Sequence, residues 1–369
     1  MNGRTRAWPL AGLMTIVAVA AASAPVRGQS ESPDEKTFTY LDVFDLEVAA
    51  DPQISPDGSQ IVYVRRGSDV MTDRARTSLW IIDYDGSGHR PLTDGTGNVS
   101  QPRWSPDGDR LLYVSSEDGS AQLWVRWMDT GQTAELTNLT ESPGGLSWSP
   151  DGEWIAMTQF VPEAVPAFAK MPTRPEGAQW ADAPKVISKL RYRADGAGYL
   201  EDGTTQIFVL PADGGTPRQV TAGPYNHGGT PSWTPDSGSL VFSANRHEGG
   251  EYDPINSEVY EATVATGEIR QLTDRAGPDG SPVVSPDGSS IAYTGFDDRL
   301  QGYQVTRLYV MDRDGSGSRV VTDLDRDVGS LRWAADGRGL YFQYDDEGTT
   351  KVAYVSLDGS VTDLAAGVG

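Results

Sequence analysis

Ser-Pro-Asp-Gly, followed at once by a β-branched or aromatic run, occurs four times in this chain: at Ser55, Ser105, Ser149 and Ser285. Two weaker copies, Thr234-Pro235-Asp236-Ser237 and Ala334-Ala335-Asp336-Gly337, complete the series. From each aspartate to the next the steps are 50, 44, 85, 51 and 49 residues. A recurrence of strand-forming sequence at roughly 45 residues is the mark of propeller blades, supersecondary units that bury their faces only by stacking on one another.

Each repeat has the same parts in the same order. An apolar residue precedes the turn: Ile54, Trp104, Trp148, Trp233, Val284 and Trp333. In the turn, proline supplies the fixed φ of a type I turn and glycine accepts positive φ at its end. A second strand follows, as in Ile61-Val62-Tyr63-Val64 or Leu111-Leu112-Tyr113-Val114, and then a third, as in Leu79-Trp80-Ile81-Ile82 or Leu308-Tyr309-Val310. A Gly-rich hairpin leads to a closing strand that ends in Leu92-Thr93, Leu136-Thr137, Val220-Thr221, Leu272-Thr273 or Val321-Thr322. Four short antiparallel strands cannot cover both of their own faces, and radial stacking solves this while leaving only short edges. The predicted fold is therefore all-β, a β-propeller of four-stranded antiparallel blades with six repeats visible.

The step of 85 residues between Asp151 and Asp236 is a blade plus an insertion of residues at about 161–205. This third-blade insertion is proline-rich at first (Pro162, Pro166, Pro172, Pro175, Pro184) and then charged, as in Lys189-Leu190-Arg191-Tyr192-Arg193-Ala194-Asp195-Gly196. Long excursions in a compact domain are functional or disordered, so an arm reaching a partner domain or substrate stands beside a simple cover for one propeller face. Residues 245–256 lengthen the next blade at a similar place.

The net charge of −22, from 52 acidic and 30 basic residues, argues against nucleic acid and anionic membrane as partners. At the N-terminus, Arg4 and Arg6 precede an apolar run from Leu10 to Ala22 and then small residues, the pattern of a secretory signal peptide. Pro25 disfavours cleavage directly after Ala24, so the signal peptide is read as residues 1–28, with a lead-in at 29–48 and the propeller at 49–369. The run is short for a membrane span and no cysteine stands near the junction, so no membrane anchor is expected. The chain has no cysteine at all, hence neither disulfides nor thiolate chemistry, and reads as exported, periplasmic or secreted.

Chemistry-bearing patterns are few. Asp83-x-Asp85-x-Ser87-Gly88 and Asp312-x-Asp314-x-Ser316-Gly317 resemble the start of calcium loops, but each lies between two strands where Asp-Gly and Ser-Gly form hairpin turns. Of the three histidines, His89, His227 and His247, the first two lack the spaced partners of a zinc site. No Gly-x-Ser-x-Gly nucleophile elbow occurs. No catalytic residue, metal ligand or cofactor is expected on this chain.

The stretch from Thr37 to Gly369 resembles the N-terminal propeller of exported bacterial peptidases of the prolyl oligopeptidase family, of the dipeptidyl-aminopeptidase or acylaminoacyl-peptidase type. The likeness rests on Leu41-Asp42-Val43-Phe44-Asp45-Leu46-Glu47, Tyr192-Arg193-Ala194-Asp195-Gly196-Ala197-Gly198-Tyr199, Ser243-Ala244-Asn245-Arg246 and Asn256-Ser257-Glu258-Val259-Tyr260. The resemblance implies a ring of seven blades, one more than the repeats seen, and a following α/β-hydrolase domain that carries a Ser-Asp-His triad. No triad position has a counterpart here, so the chain reads as a fragment, a non-catalytic gate whose partners are its own missing C-terminal α/β-hydrolase domain and short peptides. Self-association as a homo-oligomer is compatible with this reading. Arg191, Arg193 and Glu201 in the insertion are the candidate substrate-binding residues, because charge-assisted hydrogen bonds suit peptide termini. The competing reading is a freestanding six-bladed, Tol-like periplasmic propeller that binds protein partners.

Overall fold

The computed structural model describes residues 37–164, 169, 172–181 and 185–366. The signal-peptide run lies outside the described residues. Two units are distinguished, one up to Val43 and one from Phe44 onward. In the described part of the first, Thr39 N–H donates to the Asp42 carboxylate at 2.5 Å. Everything below concerns the second unit.

Among the described residues, six four-stranded antiparallel sheets follow one another along the chain. Their first strands are Val48–Ile54, Val99–Trp104, Gly144–Trp148, Ser232–Trp233, Asp279–Val284 and Val328–Trp333. Successive first strands are neighbours, so they line the axis, and the short fourth strands lie outermost. The predicted propeller of six four-stranded blades is what the chain forms. Blade 3 is assembled across the insertion: Trp154–Pro162 pairs with Gly203–Pro211 along its whole length, ending at Pro162 opposite Gly203.

The repeated turn works as a small hydrogen-bonded unit. In blade 2, Gly108 N–H donates to the Ser105 carbonyl at 2.9 Å, and the Ser105 hydroxyl accepts the Arg110 N–H at 2.9 Å. The same hydroxyl position accepts from Gln60, Trp154, Ser239 and Ser290 in blades 1, 3, 4 and 5. Its own proton goes to the turn aspartate. Those hydroxyl bonds, with the backbone N–H of the residue two further on, hold the Asp57 and Asp287 carboxyls at about 2. Glycine is favoured in blade 2 because φ there is +78°, a conformation costly for a residue with a Cβ.

Tryptophan before the turn does more than fill space. The indole N–H of Trp104 donates to the Gln53 carbonyl at 3.1 Å, on the first strand of the preceding blade. Trp148 to Arg103, Trp233 to Ser147 and Trp333 to Val283 repeat the contact at 3.0, 3.3 and 3.0 Å. Most first strands also carry a bulge three residues earlier, where Asp51, Gln101, Gly145, Ser281 and Ser330 all take positive φ.

Among the described residues five apolar clusters hold the structure, one between each pair of successive blades. Val62, Val64, Leu79 and Ile81 of blade 1, for example, meet Leu111 and Tyr113 of blade 2. Among the described residues, no strand of blade 6 comes within 8 Å (Cα to Cα) of a strand of blade 1. The facing sides of these two blades are correspondingly uncovered. Ile54, which stands where four of the other blades have a packed tryptophan, is 62% exposed, and Tyr341 is 42% exposed. A cleft of about 530 Å³, lined by Glu47, Arg65, Arg76 and Trp80 among others, opens beside blade 1.

Candidate functional site on the loop face

The pairing order puts the first-to-second and third-to-fourth turns at one end of every blade, and the remaining connections at the other. The first end is built of short Asp-Gly turns whose side chains fold back on themselves. The Asp85 carboxylate accepts the Ser87 N–H and the Asp314 carboxylate accepts the Ser316 N–H, so the calcium-like loops use these oxygens to close a hairpin. Among the described residues, the connections at this end expose one large apolar side chain, Tyr84. The opposite end, the loop face, exposes Met71 from blade 1, Tyr252 and Ile255 from blade 4, and Leu300 and Tyr303 from blade 5.

The insertion of blade 3 rises from the same face. Its described part contains a two-residue hairpin in which Arg193 pairs with Tyr199 across the Asp195-Gly196 turn. Tyr192 and Tyr199 lie 6.1 Å apart between ring centres, and the Lys185 ammonium sits 4.0 Å over the Tyr199 ring. Lys189 pairs with Asp202 at 3.1 Å, and Leu190 N–H donates to the Glu251 carboxylate, tying the insertion to the long loop of blade 4. Val186, Ile187 and Leu190 are all more than half exposed. The sequence-derived candidates Arg191, Arg193 and Glu201 are exposed on this arm, and among the described residues none of the three makes an ion pair.

Beside the arm lies a buried polar network that inspection of motifs did not reveal. His227 is fully buried; its Nε2 accepts from Arg246 Nη1 at 2.5 Å, which leaves the proton on Nδ1. Burial and the neighbouring guanidinium depress this imidazole to about 4. The Arg246 guanidinium sits 4.9 Å over the Tyr225 ring and 5.5 Å over that of Tyr260. Further in, Glu258 and Asp279 are 1% and 0% exposed. Arg275 is paired with Asp279, and His247 Nε2 lies 3.5 Å from Glu258 Oε1. Among the described residues no group of histidine, cysteine, aspartate and glutamate side chains has the arrangement of a metal site. Nor is any helix among them long and apolar enough to cross a membrane. The arrangement offers a surface for binding and a charged interior.

Comparison with known proteins places the chain. The family described as TolB beta propeller domain matches residues 58–163 and 197–363, leaving out most of the insertion, and the chain belongs to that family. Dipeptidyl-peptidase 5 of Porphyromonas gingivalis is 27% identical over 329 residues, which are 85% of this chain and 47% of that protein. Uncharacterized peptidase YuxL of Bacillus subtilis is 31% identical over 215 residues, 58% of this chain and 32% of the relative. Among solved structures, Pyrococcus horikoshii acylaminoacyl peptidase superposes with a TM-score of 0.64 at 18% identity, covering 87% of this chain and 46% of that one. The chain thus spans between a third and a half of the length of these peptidase relatives, as the likeness read from the sequence implied.

Proposed function

We propose that this chain is the substrate-gating propeller of an exported serine peptidase that cleaves short peptides, and that its loop face is where an α/β-hydrolase domain docks. The observation that carries this reading is the asymmetry of the two ends. Short self-satisfied polar turns occupy one, while the other displays Met71, Tyr252, Ile255, Leu300, Tyr303 and the apolar arm. Exposed apolar groups concentrated on one face mark an interaction surface. The peptidase relatives, each a little under twice this length, support the identity of the partner. In such an enzyme the propeller selects by size, admitting short peptides to a nucleophile that folded proteins cannot reach. Arg191, Arg193 and Glu201 then stand on an arm over that route, placed to pair with peptide termini.

The Tol-like scaffold is the second reading, favoured by the description of the family. The separation of blades 1 and 6 weighs against it, because a freestanding propeller is expected to close.

The test is to recover the native protein from its own cells with an antibody to this propeller and treat it with a fluorophosphonate probe. A polypeptide roughly twice this length that is labelled on serine supports the proposal. A native species of propeller size without label overturns it.

A further inference from the structure

A repeated hydrogen-bond pattern links the closing strand of blades 1 to 4 to the start of their third strand. The closing threonine accepts a backbone N–H there: Leu79 to Thr93, Leu123 to Thr137, Ile207 to Thr221 and Val259 to Thr273. Its single hydroxyl proton must then go elsewhere. In blades 2 and 3 it goes to a glutamine fifteen residues earlier, Thr137 to Gln122 Oε1 at 2.9 Å and Thr221 to Gln206 Oε1 at 2.8 Å. Each glutamine in turn donates its NH₂ to the backbone: Gln122 to the Leu139 carbonyl, and Gln206 to the carbonyls of Gly223 and Tyr225. The position therefore needs a side chain that accepts with one atom and donates with the other. In blade 5 the residue is Arg307, a donor only, and the Thr322 hydroxyl is buried without a partner.

Blade 4 places Glu258 at this position, with Thr273 Oγ1 donating to its Oε2 at 2.5 Å. An ionised glutamate accepts and cannot donate. Yet beside Glu258, itself 1% exposed, stands a second fully buried carboxyl, Asp279, whose backbone N–H donates to the carbonyl of the adjacent Ser257 at 2.7 Å. Arg275 takes Oδ1 of Asp279, while Oδ2 is buried and has no donor.

We infer that Glu258 and Asp279 form a proton-binding site that holds one proton between them, with Glu258 its bearer. A protonated Glu258 has the donor-plus-acceptor character of Gln122 and Gln206, and its O–H supplies the donor that Asp279 Oδ2 lacks. Two unprotonated carboxyls here would have one guanidinium, Arg275, for two buried charges, and Arg275 also has Asp297 at 3.6 Å. The other charged or titratable groups around the pair are His247 from the blade 4 loop, Tyr260 on the strand of Glu258, Asp274 and Arg246 beyond Tyr260, and from blade 5 Tyr293 and Tyr309, the latter with its ring 4.0 Å under the Arg275 guanidinium. Burial raises both carboxyls above their ordinary range, in agreement with the geometry.

The consequence is a defined dependence on pH. A carboxyl whose folded value is raised contributes its stabilisation below the ordinary glutamate range and loses it as pH climbs through the folded value. Glu258→Gln keeps the hydrogen bonds and removes the titration. Its stability is therefore expected to match wild type in acid and to exceed it increasingly as pH rises.

The experiment is infrared spectroscopy of this chain near neutral pH, with and without ¹³C-glutamate. A carboxylic-acid carbonyl band that shifts with the glutamate label and vanishes in Glu258→Gln supports the site. No such band in wild type, or one that shifts with labelled aspartate alone, overturns it. Counting protons on unfolding near neutral pH gives an independent reading, since wild type should release about one proton more than Glu258→Gln. Equal release overturns the inference.

Discussion

At the residue scale, the repeated turn shows how much one hydroxyl contributes. Five blades place serine or threonine at its first position and use the oxygen to accept a backbone N–H; blade 6 has Ala334 there, 6% exposed. The rest of the turn is intact, with Gly337 N–H on the Ala334 carbonyl and Arg338 N–H on the Asp336 carboxylate. Ala334→Ser should restore the missing bonds, to the Gly339 N–H and the Asp336 carboxylate, and raise stability by about 1 kcal/mol. Denaturant titration of both proteins checks this, and a variant no more stable than wild type would count against the role given to the hydroxyl. The threonine and glutamine pair belongs to the same scale. Its fifteen-residue spacing was available in the sequence, in Gln122 with Thr137 and Gln206 with Thr221, but a regular distance across a hairpin signals nothing until the strands are paired.

At the scale of the element, the first strand carries the strain. Its bulge puts Asp51, Gln101, Ser281 and Ser330 at positive φ, a conformation costly for any residue with a Cβ. Blade 3 has Gly145 in that place at φ +57°, and a Cβ added there would meet the Gly229 carbonyl at 2.2 Å. Gly145→Ala should therefore cost about 3 kcal/mol, because the crossover from blade 3 to blade 4 must shift to admit it. Unfolding of this variant alongside Ser281→Gly, which should be neutral or stabilising, separates steric clash from dihedral strain. Strands and turns were legible in the sequence because the period-two run and the Pro-Asp-Gly signal are local. The bulge was not, since no residue type marks it: Asp, Gln, Gly and Ser serve equally. His227 illustrates the same limit, for it looks like a loop residue among Asn226, Gly228 and Gly229 and yet is fully buried against Arg246. The arm was legible as an insertion, while its exposed Val186, Ile187 and Leu190 became informative only once the face they share with Tyr252 and Leu300 was known.

At the scale of the whole molecule, among the described residues, apolar clusters cover the faces between successive blades and leave one face open on each end blade. Ile54, with the Tyr63 and Trp80 pair, stands on blade 1, and Tyr341 with Tyr354 on blade 6. Such faces are expected to find cover, so this chain purified alone should self-associate. Ile54→Lys combined with Tyr341→Lys should lower the average mass in sedimentation velocity without lowering the melting temperature. Unchanged association would place the sticky surface on the loop face instead. The indole bonds add a different resource. Trp104, Trp148, Trp233 and Trp333 each lean on the blade before them, so each stands at one junction and reports on no other. With the remaining tryptophans replaced, emission from a single retained indole would reveal in which order the blades part, junction by junction. Only the seam between blades 4 and 5, where Val284 stands in place of an indole, would stay dark.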